Sequence, residues 1–217
     1  MGGITTTRGD RAGRRRDVLA AAAAALEESD WGSFSIRDLA ARAGVSGGAV
    51  YQWFSGKGEI WARLQTARFT ADRETIEGWS SDLPAGETVH RLIGIIAENH
   101  ADLGRHRFEY VRDLKGKTPD YAVELADAHQ ALSNAISTRI RAIYSDEITP
   151  ANHAARVSWL WAVGKGVGEH LVDTRFEPTR VDRNDFLDTT AECVLAGLRA
   201  PAPVTVESSS AAREERP

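Results

Sequence analysis

The side chains best suited to contact another molecule lie in one stretch of the chain, SIRDLAARAGVSGGAVYQWFSGK, which runs from Ser35 to Lys57. Arg37 and Gln52 carry planar groups that can form two hydrogen bonds at once, Arg37 with guanine and Gln52 with adenine. The hydroxyl of Tyr51 and the ammonium group of Lys57 suit phosphate oxygens. Together, these residue types predict contacts with the bases and the backbone of double-stranded DNA.

Two short helices joined by a turn are expected to position these side chains. Apolar residues at helical spacing begin at Ile36, and Ser35 with an aspartate three residues later fits a capping box. Gly44 supplies the left-handed backbone of a sharp helix end, and Ser46 can cap a second helix that is predicted to reach Phe54. This arrangement is typical of a helix-turn-helix, whose second helix enters a groove of DNA.

The candidate DNA contacts also include basic residues before this motif and small residues that open its second helix. Arg14 and Arg15, in the first turn of a preceding helix, can contact phosphates. Gly47, Gly48 and Ala49 offer only backbone and a methyl group, which suits a thymine methyl. The full candidate set is Arg14, Arg15, Ser35, Arg37, Ser46, Gly47, Gly48, Ala49, Tyr51, Gln52, Trp53 and Lys57.

Several of these residues have a second interpretation. Tyr51 could be a core aromatic residue, Lys57 a solvated lysine, and Trp53 a brace for the fold. The two glycines each cost about 1 kcal/mol of helix propensity relative to alanine, so the second helix is predicted to be poorly formed before it meets DNA.

Charge is distributed unevenly along the chain. Residues 1–26 carry five arginines and two aspartates, a charge of +3, whereas the whole chain carries −4 and the remainder therefore −7. A basic end on an acidic body indicates that this end alone contacts phosphates. Residues 1–12 have no apolar period and are predicted to be a disordered basic arm.

The stretch resembles the N-terminal region of the TetR-type transcriptional regulators over roughly residues 14–62. The resemblance implies a homodimeric repressor that binds a palindromic operator and is released by a small organic effector. Departures from the family pattern are Asp30, Gly58 and the Gly47–Gly48 pair. The matching residues are Val18-Leu19, Ala21-Ala22, Trp31, Ile36 to Ala40, Gly44 to Ser46, Tyr51 to Lys57 and Ile60.

The remainder of the chain shows helical periodicity and no alternating strand pattern. Prolines at 84, 119, 150 and 178 separate the helical segments. We predict an all-α fold with a three-helix DNA-binding head at residues 13–60. A helical ligand-binding and dimerisation domain is expected at 61–199, followed by a disordered tail at 200–217.

The last two predicted helices are apolar enough to pair with a second copy of the chain. The segment from Ala151 to Val172 is apolar on opposite sides, so both sides must be covered. Covering by a second copy gives a four-helix dimer interface, whereas covering within one chain makes the segment the central helix of a monomer. The candidate interface residues are Val157, Leu160, Trp161, Gly164, Gly168, Leu187, Ala191, Val194 and Leu198.

Polar and aromatic residues on apolar stripes of the middle helices indicate an effector site. Buried polar groups need partners, which either a bound organic molecule or the protein itself can supply. The candidate ligand residues are Trp79, Asn99, His100, Phe108, Tyr110, Tyr121, His129 and Trp159.

Composition argues against several other classes of protein. No apolar run is long enough for a membrane span, no secretory signal is evident and there is one cysteine, so we expect a cytoplasmic protein without membrane contact. The histidines lack metal-ligand spacing and no nucleophile elbow or phosphate loop is present, so neither catalysis, a cofactor nor a metal is expected. The alternatives are a helical dimeric interaction module without DNA binding and an all-α enzyme.

Overall fold

A computed structural model describes residues 8–28, 31–144, 149–172 and 181–200, and these ranges contain nine α-helices and no strand. The predicted all-α fold class is confirmed. The predictions made for residues 1–7, for Pro178 and for residues 201–217 fall outside the described ranges. The helices are α1 (Arg8–Glu28), α2 (Ile36–Arg42), α3 (Gly47–Tyr51), α4 (Lys57–Glu77), α5 (Ala85–Asp102), α6 (Arg107–Leu114), α7 (Asp120–Arg141), α8 (Pro150–Val172) and α9 (Arg183–Arg199).

Helix α1 begins at Arg8, so the prediction of disorder up to residue 12 is wrong for residues 8–12. The prediction relied on the missing apolar stripe. Helix α3 ends at Tyr51 rather than at Phe54, with Gln52 as its C-cap.

The helix-turn-helix has its own apolar core. Val18, Ala22 and Leu26 of α1 are buried against residues of α2 and α3, such as Leu39 and Val50. The other buried members of this first core are Ala25, Trp31, Phe34, Ile36, Ala40, Phe54, Ile60, Trp61, Ala62 and Tyr110. Because Ile60 and Trp61 lie in the first turn of α4, the head is anchored directly on that helix.

A second core fills the helical bundle formed by α4, α5, α7, α8 and α9. Phe69 and Ile76 continue the buried side of α4 into this core, where Ile93 and Ile136 meet them from α5 and α7. A single helix therefore passes from the first core to the second. A 3-10 turn at Gly104–His106 separates α5 from α6.

The side of α8 that was predicted to form the dimer interface packs instead on α5 of the same chain. A β-carbon on Gly164 would lie 2.6 Å from Ile96, and one on Gly168 would lie 2.5 Å from the carbonyl oxygen of Ala97. Both glycines are buried, as is Leu160, which lies one helical turn before Gly164. The glycines thus allow close approach of α5, not of a partner helix.

The α9 residues of the predicted dimer interface also pack within the same chain, so this part of the prediction is corrected too. Leu187, Ala191, Val194 and Leu198 are at most 7% exposed and belong to the second core. Val157 and Trp161 of α8 are partly buried against that core. Hydrophobic periodicity located an apolar side on each helix, but it could not tell whether the same chain or a second copy covers that side.

Candidate nucleic-acid interface and effector region

The start of α2 is fixed by the predicted capping box. The Ser35 hydroxyl accepts a hydrogen bond from the Asp38 backbone N–H at 3.2 Å, and the Ser35 backbone N–H donates to the Asp38 carboxylate at 2.7 Å. The Ser35 hydroxyl also donates to this carboxylate. These hydrogen bonds from Ser35 hold the pKa of Asp38 below its usual value. Ser35 therefore acts as a helix cap, which leaves Arg37 exposed in the first turn.

The turn between α2 and α3 sets the direction in which the second helix leaves the first. Gly44 has a φ of +64°, and the Val45 N–H donates to the carbonyl oxygen of Ala40 at 2.9 Å. Ser46 then caps α3, because its hydroxyl accepts from the Ala49 N–H at 3.2 Å. A positive φ favours glycine, so the geometry of the motif depends on Gly44.

The outer surface of α3 carries the exposed candidates for DNA contact. Tyr51 is 63% exposed, which is inconsistent with the alternative of a core aromatic residue. Gly48 and Gln52 are also exposed, while Gly47 and Ala49 are partly covered. With Val50 fully buried on the opposite side, α3 has one side anchored in the core and one side available to a groove.

Trp53 braces the fold instead of extending this surface. Its side chain is partly buried against the first core, and its indole nitrogen is buried without a hydrogen-bond partner in the part of the chain that the structure describes. Arg14 and Arg15 are exposed on α1, and the Arg15 guanidinium lies 5.1 Å from the centre of the Phe54 ring. Arg15 is therefore held next to the end of the helix-turn-helix.

Lys57 does not point toward solvent as its predicted role as a phosphate anchor requires. Its ammonium group donates hydrogen bonds to the carbonyl oxygens of Trp31 and Phe34, at 3.0 Å in the case of Phe34. It also lies 5.1 Å and 4.5 Å from the ring centres of the same two residues. Burial lowers the pKa of Lys57, while the charge of Asp113 acts in the opposite direction. Lys57 therefore joins α4 to the segment before α2 inside the protein, and we call this contact the internal tie. The predicted role of Lys57 as a phosphate anchor is corrected accordingly.

A second connection between the head and the bundle was missed in the sequence. Arg105, in the 3-10 turn, donates to the carbonyl oxygen of Leu26 at 2.7 Å, and Nε2 of His106 lies 3.3 Å from the same oxygen. Such contacts occupy carbonyl groups at the end of α1 that have no partner within the helix. No local pattern in the sequence could have identified this contact, because the two residues are 79 positions apart.

Two tryptophans extend this connection along α6. The indole N–H of Trp61 donates to the carbonyl oxygen of Leu103 at 3.0 Å, and that of Trp31 donates to the Asp113 carboxylate at 3.1 Å. The ring of Tyr110 packs on Trp61 with 4.5 Å between centroids. Residues 103–114 are thus joined to both α1 and α4, so a shift of α6 would be transmitted to the head.

Asn99 finds its partners inside the protein and not in a bound molecule. It accepts a hydrogen bond from Gln65 and donates to the Asp72 carboxylate, the latter at 2.7 Å. Burial raises the pKa of Asp72, although the nearby guanidinium of Arg68 opposes this effect. This buried network joins α4 to α5, and Asn99 is corrected from a ligand residue to a structural one.

The other predicted ligand residues lie in different parts of the molecule. His100 pairs with Glu169 at 3.1 Å, and Trp79 is packed against the second core with Arg91 over its ring. Phe108 is 85% exposed and Trp159 is 40% exposed. The structure therefore does not bring the eight predicted residues together around one cavity.

Three of the eight contact internal aromatic surfaces. Tyr110 is buried in the first core, and Tyr121 is partly buried against the same core. The His129 ring lies between Phe69 and Trp161, with 5.2 Å and 5.0 Å between ring centroids. Of the predicted set, only His129 combines partial burial in the bundle with a position between aromatic rings from two other helices.

Grooves on the bundle surface lie elsewhere. One of about 590 Å³ is lined by Arg73 and Ile76 of α4 and by Ala135 and Arg139 of α7. Arg139 closes one side of it by donating to several carbonyl oxygens near the end of α4, including that of Ile76 at 2.9 Å. This groove contains none of the predicted ligand residues.

The described ranges were also compared with the requirements of a metal site and of a membrane span. In them, no cluster of three or more histidine, cysteine, aspartate or glutamate side chains has the arrangement of a metal site. None of the helices there combines the length and the apolarity that a membrane span requires.

The N-terminal region matches a known family. Residues 18–64 fit the family model of bacterial regulatory proteins of the tetR family. This range contains α2, α3 and most of the first core. No curated protein sequence is significantly similar to the chain.

Solved structures share the fold over nearly the whole chain. A tetR-family transcriptional regulator from Streptomyces coelicolor is 18% identical with a TM-score of 0.63, covering 91% of this chain and 82% of that one. A regulatory protein of the tetR family from Rhodococcus RHA1 is 17% identical with a TM-score of 0.61, covering 91% of this chain and 100% of the other. The transcriptional regulator FadR from Bacillus subtilis in complex with stearoyl-CoA is 14% identical with a TM-score of 0.56, covering 87% and 99%. At these identities the similarity establishes the fold.

Proposed function

We propose that this chain, a member of the TetR family by residues 18–64 and by its fold, is an effector-responsive homodimeric repressor that binds a palindromic DNA operator. The exposed surface formed by α3 and the first turn of α2 carries this proposal. Arg37, Tyr51 and Gln52 are exposed there on a short motif whose opposite side is buried. The protein acts by binding and not by catalysis, in the cytoplasm and without a cofactor.

With α3 in the major groove of DNA, the candidate residues take two different roles. Arg37 and Gln52 read bases, whereas Tyr51, Arg14 and Arg15 bind phosphates. Gly47, Gly48 and Ala49 let the backbone of α3 approach the groove floor closely, because their side chains are small. Lys57 contributes indirectly by holding α4 against the segment that carries Trp31 and Phe34.

Dimerisation uses the outer surfaces of α8 and α9. Trp159, Ala162 and Gly166 of α8 are exposed, and so are Cys193 and Ala196 of α9. These residues lie away from α5 and are available to a second copy of the chain. A two-fold axis between the copies would place two heads at successive major grooves, about 34–36 Å apart.

The effector is proposed to act on the spacing of the two heads. It can release DNA only if it binds more tightly to a form in which the heads are wrongly spaced. Helix α4 and the contacts of residues 103–114 with α1 provide the connection from the bundle to the head. An organic effector is supported by the stearoyl-CoA that the FadR structure contains.

Two substitutions separate base recognition from phosphate binding. We expect Arg37→Ala to lose about 1–3 kcal/mol of discrimination at one base pair of each half-site, because the guanidinium no longer pairs with a guanine. Tyr51→Phe is expected to weaken binding to every duplex by a similar factor and to keep the preferred sequence, because only a phosphate contact is removed. Binding of both variants to a library of duplexes measures the two effects.

Thermal unfolding serves as the control, since both side chains are exposed and neither substitution should lower the melting temperature appreciably. If Arg37→Ala and Tyr51→Phe shifted the sequence preference equally, these roles would have to be abandoned. If the unmodified protein bound no duplex, the interaction module without DNA binding would become the better account.

A further inference from the structure

A lysine of α8 lies against an aromatic surface that α4, α7 and α8 form together. The His129 ring of α7 lies between the rings of Phe69 and Trp161, and the Lys165 ammonium lies 5.7 Å from the centre of the Trp161 ring. His129, Trp161 and Lys165 are half-buried, whereas Arg107, the first residue of α6, is exposed, and its charge acts on both Lys165 and His129. We call Arg107, His129, Trp161 and Lys165 the donor cluster.

The positive charges of this cluster repel each other. Burial and the charge of Arg107 lower the pKa of Lys165, and burial together with Lys165 and Arg107 lowers the pKa of His129. Across the described ranges, no hydrogen bond or ion pair joins Arg107, His129 or Lys165 to an acidic side chain. A half-buried cation without a counter-ion is unfavourable, so an anion would stabilise this arrangement.

The hydrogen-bonding groups of the donor cluster also favour an anion. Lysine, arginine and the indole N–H of tryptophan can only donate. The Trp161 indole nitrogen is buried and has no hydrogen-bond partner among the described residues, although buried polar atoms are normally hydrogen-bonded. A molecule that satisfies this cluster must therefore supply oxygen acceptors, preferably charged ones.

We propose that the donor cluster binds the oxyanion head of an organic acid, and that the apolar body of this acid packs along the rings of Phe69, His129 and Trp161. Lys165, Arg107 and the Trp161 N–H hold the oxyanion. This inference rests on the proposed function, because it names the chemical class of the effector.

The position of Arg107 also gives the acid a way to act. Arg107 opens α6, two residues after Arg105, which holds the end of α1. An anion between Arg107 and Lys165 replaces repulsion with attraction and draws α6 toward α8. The carbonyl contacts of Arg105 and the Asp113 contact of Trp31 would then carry this shift to the head.

Calorimetric titration of the full chain without DNA tests the site. The probes are phenylacetate, 4-phenylbutyrate and octanoate, the alcohol and the amine with the same body as each acid, and inorganic phosphate. We expect at least one acid to bind saturably, about tenfold or more tighter than its alcohol and its amine. Equal binding of the three head groups, or no saturable binding of any acid, would overturn the proposal.

Variants connect the binding to the cluster. Lys165→Met is expected to weaken binding of the acid about tenfold and to leave binding of the alcohol unchanged. Lys165→Arg keeps the positive charge and should restore binding of the acid. Lys117→Met, at an exposed position, is the matched control and should bind like the unchanged chain. If Lys165→Met bound the acid with unchanged affinity, the assigned site would be wrong. If inorganic phosphate bound as tightly as the acids, the site would be a simple anion site without an organic ligand.

These outcomes are separate from failure of the proposed function. A chain that binds DNA selectively but none of the acids refutes the donor cluster alone. A chain that binds an acid through Lys165 but no DNA keeps the anion site and refutes the repressor.

Discussion

Replacing Gly168 with alanine should lower the free energy of unfolding by about 3 kcal/mol, as expected for severe overpacking. The new β-carbon would lie 2.5 Å from the carbonyl oxygen of Ala97 and 2.9 Å from Cβ of His100. The gain in helix propensity is only about 1 kcal/mol, and a carbonyl within α5 cannot move aside as a flexible side chain could. Urea denaturation followed by circular dichroism measures the loss.

Gly94→Ala, in the facing helix α5, is the matched control. A β-carbon at Gly94 meets no atom of the described residues within 4 Å, so alanine should raise the free energy of unfolding by about 0.5–1 kcal/mol. Both variants are compared at one protein concentration, because dimerisation adds to stability. If Gly168 faced a partner subunit instead of α5, Gly168→Ala would yield a stable monomer, and this outcome would refute the α5–α8 packing.

Lys57→Met should destabilise the DNA-binding head by about 2 kcal/mol. The substitution keeps most of the aliphatic stem but leaves the carbonyl oxygens of Trp31 and Phe34 without their donor, and a buried unsatisfied group costs about 1–3 kcal/mol. Two cation–π contacts are lost as well. Hydrogen exchange of the α1 and α2 amides measures the effect, because local opening of the head raises their exchange rates.

The exposed Lys117 again provides the control, since Lys117→Met removes the same charge without removing a described contact. Its amide exchange in α1 and α2 should match that of the unchanged chain. Lys57→Met with unaltered exchange and weaker binding to all duplexes would contradict the internal tie and restore Lys57 as a phosphate anchor.

The helix-turn-helix could be predicted from the sequence because its determinants are local. The capping box at Ser35 and Asp38, the positive φ of Gly44 and the cap at Ser46 each depend on neighbours within a few residues. The start of α1 at Arg8 was missed because the prediction depended on an apolar stripe, which residues 8–12 lack.

Contacts between distant segments were the part that the sequence could not provide. Lys57 looked like a surface lysine until the carbonyl oxygens of Trp31 and Phe34 were placed beside it. The two glycines of α8 were candidates for the dimer interface, and only the positions of Ile96 and Ala97 identified α5 as their neighbour. Asn99 likewise indicated that a polar partner was needed, and the structure shows two partners, Gln65 and Asp72.

The central claim is that two copies of the exposed α2–α3 surface bind one duplex at matched intervals. Selection of bound duplexes from a random library by the purified full chain, followed by sequencing, tests it most directly. The account predicts enrichment of an inverted repeat whose half-sites are centred about one helical turn apart, or a multiple of it. Recovery of unenriched sequences, or of a single half-site without its inverted copy, would contradict it.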